Sequence, residues 1–91
     1  MEKRIENKET MISLIKKAII LLCEKNLSKV VILSSYKINS VLKENFGVDI
    51  RVDKIGRILG KIAKLNQLKR LSTNIPKYKL NIAKVSSLQF Y

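Results

Sequence analysis

The hydrophobic period changes near Asn66, and this change constrains the fold more than any other feature of the chain. Up to that point apolar residues recur three and four apart; beyond it they alternate with polar ones. Met11, Ile12, Ile15, Ala18, Ile19 and Leu22 trace one stripe of an amphipathic helix running from Asn7 or Thr10 to Lys25, with Asn7 or Thr10 accepting the unpaired amides at its start. Lys8, Glu9, Lys16, Lys17 and Glu24 fall on its other side. The β-branched run Val30–Leu33 predicts a short strand. Ser34 or Ser35 then caps a second helix carrying Tyr36, Ile38, Val41, Leu42 and Phe46, from which Lys37, Asn39, Lys43 and Glu44 point away. Gly47 ends that helix, because glycine adopts the left-handed conformation without strain.

Val48 to Arg51 make a tight connection into a third helix, from Val52 or Asp53 to Leu65 or Asn66, with Asp49 or Asp53 as its expected cap. At 100° per residue Ile55, Ile58, Leu59 and Ile62 gather on one side of it, and Lys54, Arg57, Lys61 and Lys64 on the other. Gly56 and Gly60 lie at the border, where another backbone or a phosphate can come close, helix packing being the commoner reason for such glycines. After the change of period, Leu68–Ser72 and Tyr78–Ile82 read as two strands around Thr73–Pro76. Tyr78, Leu80 and Ile82 form a buried face, and Lys77, Lys79 and Asn81 a wet one. Residues 83–91 read either as a helical turn or as an extended tail.

The fold class is therefore mainly α with a small β-hairpin. With 91 residues the chain is read as one domain, with an N-terminal arm at 1–8, a folded unit at 9–82 and a C-terminal tail at 83–91. A core of this size leaves little to line a substrate cavity.

Charge narrows the function. Nineteen bases against seven acids leave +12, more than solubility requires in a small domain, and imply a polyanionic partner. The seven acids all precede residue 54, where ten bases accompany them; from Lys54 onward there are nine bases and no acid. Cys23, the sole cysteine, sits in an apolar run and reads as a buried reduced thiol in an intracellular, cytoplasmic setting. The longest apolar stretch, Ala18–Cys23, is too short for a membrane span of about 20 residues or a signal core, so no membrane role is expected.

Catalysis is not expected. The chain has no His, one Cys and no carboxylates paired at a useful spacing, so no metal site and no cofactor is expected either. Gly56–Lys61 bears a superficial likeness to a phosphate-binding loop, but only three residues separate its glycines, no Ser or Thr follows Lys61, and its setting is helical.

Helix, short strand, helix, tight turn, helix, hairpin is an order that resembles a winged helix-turn-helix domain over residues 9–82, of the small basic kind familiar among archaeal DNA-binding proteins. Asn45–Val48 resembles the turn between the second and third helices, Ile58–Ile62 the end of the recognition helix, and Leu68–Leu71 the first wing strand. The wing tip Thr73–Pro76 departs from the pattern in having no glycine. The resemblance implies a third helix in the major groove and a wing on the flanking backbone, which assigns Arg51, Lys54, Arg57, Lys61 and Lys64 to the contact surface; the charge pattern selects the same helix independently. Arg57 or Arg51 suits base reading, since a guanidinium forks onto a guanine edge, whereas the lysines suit phosphates. Lys69, Arg70, Lys77 and Lys79 on the hairpin, and Ser35, Tyr36 and Lys37 at the start of the second helix, are further phosphate contacts.

The expectation is thus a double-stranded DNA-binding protein in which phosphate contacts dominate, acting as a transcription regulator or DNA-associated protein. Two alternatives stand beside it: a basic accessory subunit of a replication or transcription complex, and an RNA-binding, ribosomal-type structural protein. A homodimer through the first helix or the C-terminal tail, and docking on a protein partner in a larger complex, are the further associations these segments suggest.

Overall fold

The computed structural model describes residues 3–4 and 7–90. In chain order the elements are β1 (Lys3–Arg4), α1 (Lys8–Lys25), β2 (Val30–Ser34), α2 (Ser35–Val41) continued by a π-helical turn (Leu42–Phe46), β3 (Val48–Asp49), α3 (Val52–Leu65), β4 (Lys69–Arg70), β5 (Lys77–Asn81) and a 3-10 helix (Ile82–Ser87). The protein is mainly helical, with a three-stranded antiparallel sheet of order β2-β5-β4.

Local chemistry explains most of the boundaries. The Asn7 side chain accepts a 3.0 Å hydrogen bond from the Thr10 amide at the start of α1, and Ser34 rather than Ser35 caps α2, its Oγ accepting from the Lys37 amide at 3.2 Å. Gly47 ends the second helical segment at φ 62°. Neither Asp49 nor Asp53 caps α3: Arg51 holds the cap position without a side-chain bond, and Asp53 sits in the first turn, where a negative charge favours the helix dipole. At the other end of α3, Leu68 N–H donates to Ala63 O at 2.9 Å and Gln67 N–H to Lys64 O at 3.4 Å, a Schellman pattern that places Gln67 at φ 53°. This bond withdraws Leu68 from the sheet, and Thr73 N–H turns back to Leu71 O at 2.9 Å. β4 is therefore shorter than the run Leu68–Ser72 suggests.

The core lies between α1, α2, α3 and one face of the sheet. Ile15, Ile19, Leu33, Ile38, Leu42, Ile50, Ile55, Leu59, Ile62 and Leu80 are fully buried in it. The apolar stripe of α1 is consumed here, with Met11, Ile12, Ile15, Ala18 and Ile19 all buried. Two contacts have no counterpart in the sequence reading. β1 pairs in parallel with β3, Lys3 opposite Val48 and Arg4 opposite Asp49; a two-residue strand is too short to show a period. The tail combines both forms that its sequence allows, the 3-10 helix followed by an extended stretch. Asn66 holds that stretch as a strand neighbour would, donating to Gln89 O at 2.7 Å and accepting from Gln89 N–H at 2.8 Å. Val85, Leu88 and Phe90 pack against the core, and Lys16 Nζ stands 5.4 Å from the Phe90 ring centroid. Tyr91 lies outside the described residues.

Candidate nucleic-acid interface

α3 is presented rather than enclosed. Ile55, Ile58, Leu59, Ile62 and Ala63 face the core, and the opposite side carries Lys54, half-buried, with Arg57, Lys61 and Lys64 exposed. The ion pairs among the described residues are Lys43–Asp49 at 3.9 Å and Arg51–Asp53 at 3.2 Å, so none of these four cations is paired with a carboxylate among the described residues. Arg51 is: its Nε and Nη2 donate to the two Asp53 carboxylate oxygens at 3.2 and 3.3 Å. Its fork is occupied in the free protein, leaving Arg57 as the open guanidinium of α3.

The geometry leading into α3 rests on Asn39, which is 9% exposed and whose side-chain amide donates to the Ile50 carbonyl at 2.8 Å. Asn39 thus points inward, against the sequence expectation. Its spacing placed it at the edge of an apolar stripe, and a polar residue there reads as exposed until its partner eleven residues on is known. By satisfying a buried carbonyl it ties α2 to the turn before α3, and so helps set the angle at which α3 emerges. Ser35 is also buried, at 8% exposure. It packs toward Gly56, where an added Cβ would meet Ser35 Cβ at 4.0 Å. The Lys37 side chain is exposed, but its amide is already bound to Ser34.

Two grooves border the basic ridge. On the α1 side Lys8, Met11, Lys54, Arg57, Ile58 and Lys61 line one of about 240 Å³. Lys8 thereby joins the ridge, a member the sequence did not reveal because nothing local links the first turn of α1 to α3. On the sheet side a cleft of about 530 Å³ runs between the start of α2, Gly56 and Arg57 of α3, and the loop Asn74–Ile75–Pro76, with Tyr36 and Tyr78 in its walls. Tyr36 and Ile75 are 56% and 44% exposed there.

The hairpin cations divide by strand alternation. Arg70 stands opposite Tyr78, whose hydroxyl would lie 3.7 Å from a Cβ at Gly60, so Arg70 belongs to the sheet face that looks toward α3. Lys69 stands opposite Lys79, and both, with Lys77, belong to the reverse face. The structure therefore brings together Lys54, Arg57, Lys61 and Lys64 with Lys8, and sets Arg70 on the same side. Lys69, Lys77 and Lys79 are not part of that surface.

Other chemistry is sparse. Among the described residues no group of three or more His, Cys, Asp or Glu side chains could hold a metal, and no helix is long and apolar enough to cross a membrane. Cys23 is buried, and that burial, with the negative charge of Glu24, pushes its thiol pKa up. No family model, curated protein or solved structure matches the chain.

Proposed function

We propose that the chain is a winged helix-turn-helix domain that binds double-stranded DNA, with α3 in the major groove and the Leu71–Pro76 loop against the adjacent backbone. The observation that carries this reading is the ridge Lys54–Arg57–Lys61–Lys64, outward-facing and unpaired by any carboxylate among the described residues. The β4–β5 hairpin that follows the three helices, with β2 paired on β5, supports the fold assignment, as does the cleft shared by Gly56 and Arg57 of α3 and the hairpin loop Asn74–Pro76.

A helix of 14 residues is about 21 Å long and about 10–12 Å across, a fit to a major groove about 12 Å wide. The lysines meet phosphates and release counterions; Arg57 is the residue for base reading, donating its fork to a guanine edge. Phosphate contact dominates, so the protein selects weakly among sequences and serves as a DNA-associated protein or a regulator of low selectivity.

The test is fluorescence anisotropy with a labelled duplex at increasing salt. Each phosphate neutralised contributes about 0.9 to the fall of log K with log salt, so an affinity independent of salt overturns the reading. Tighter binding to structured RNA or to single strands than to duplex DNA also overturns it.

A further inference from the structure

We propose that the reverse side of the sheet is a second phosphodiester-binding surface, through which the chain joins two separate duplex segments. The inference rests on the nucleic-acid reading above and extends it from binding to bridging.

Lys69, Lys79 and Lys84 line one cleft of about 350 Å³ that also includes Gln67 and Asn81, with no carboxylate among the lining residues. It shares no residue with the grooves beside α3. Lys69 and Lys79 stand directly opposite each other across β4 and β5, and like charges in that position destabilise a sheet. None of the three lysines has an ion-pair partner among the described residues. An anion in the cleft removes the repulsion.

The occupant follows from stiffness and shape. The molecule measures 34 × 26 × 24 Å, whereas duplex DNA bends smoothly only over its persistence length of about 500 Å. Lys69 and Lys79 leave the sheet on the face away from Arg70 and α3, so a duplex seated along α3 would have to bend sharply within that span to meet them, at a high elastic cost. The cations there are lysines, which neutralise phosphates without reading bases. A second duplex segment, held by its backbone alone, fits both facts.

The experiment immobilises one duplex on beads, saturates it with the full chain and measures capture of a second, fluorescent duplex. The wild type is compared with a triple variant, Lys69→Gln, Lys79→Gln and Lys84→Gln. Anisotropy on a single duplex, thermal melting and sedimentation are run on both. The expected result is that the variant melts no lower than wild type, keeps its affinity for one duplex within about threefold and loses capture by tenfold or more; the salt slope of capture should fall by about three, near 0.9 for each lysine. The proposal is overturned if the variant still captures, if single-duplex affinity falls in parallel with capture, or if loss of capture accompanies loss of a wild-type dimer. Polyglutamate competing as well as duplex at equal charge would assign the cleft to an acidic protein segment and also overturn it. A wild type that binds one duplex but captures no second fails here alone; one that binds no duplex fails the earlier reading as well.

Discussion

Helices α1 and α3 are both amphipathic and both pack on the same core, yet their outer faces differ in kind. α1 carries Glu9 and Glu24 among its lysines, the mixed surface of a solvated helix. α3 has a single acid, Asp53, in its first turn and only cations beyond it. A helix whose role ends with the core has no reason to concentrate one sign of charge, because self-repulsion opposes folding. The contrast sets the two helices apart: beyond Lys8 in its first turn, α1 serves the core with a mixed outer face, whereas under the proposed reading α3 is the element that meets the partner.

The strongest challenge to that division is Ile15→Ala. Ile15 is fully buried in α1, and the substitution should lower stability by about 2–5 kcal/mol, read by urea denaturation, while duplex affinity measured on the folded fraction stays unchanged. A change in the salt slope would mean that α1 does more than support. Next is Asn39→Ala, which leaves the buried Ile50 carbonyl unsatisfied and should cost about 1–3 kcal/mol. Because Asn39 helps aim α3, duplex affinity should fall as well, and intact affinity would show that the turn is positioned by packing alone.

Gly60→Ala has smaller and opposed consequences. A Cβ there makes only ordinary contact with Tyr78, so the helix should gain about 0.5–1 kcal/mol. Binding should weaken if a phosphate approaches that side of α3, and a stabilised variant with unaltered binding would show that no phosphate comes close there. The smallest stability effect comes from comparing Lys61→Gln on α3 with Lys17→Gln on α1: both should change stability by less than about 0.5 kcal/mol, but only the first should reduce the salt slope, by about 1. Equal slopes would erase the contrast between the helices. Cys23 offers a check on the scaffold itself, since a buried thiol whose pKa is raised should react with a maleimide at pH 8 only after unfolding.

Much of this architecture was legible without coordinates. The helical segments were marked by strong periodicity and by capping residues, and the buried faces of α1 and α3 follow the expected stripes. Boundaries fared less well where a tertiary bond intervened: β4 shrinks because Leu68 N–H caps α3 from behind, and the start of α3 has no side-chain cap at all. The grouping of cations was legible on α3, where all four lie on one face of one helix. On the hairpin the sequence did not reveal how the cations divide: Lys69 and Arg70 are neighbours in sequence but stand on opposite faces of the sheet.

Period and charge order are local properties of the chain, and they alone determined the succession of the three helices and the hairpin, the core-facing stripes and the concentration of cations beyond residue 54. Only the tertiary structure decided which side chains from distant segments meet: Lys8 beside Lys54, Asn39 beneath Ile50, Phe90 under Lys16, and Lys84 beside Lys69 and Lys79. The physical reason is that a helix or strand sets the direction of each side chain relative to its own axis, whereas the placing of one axis against another depends on how the whole core packs.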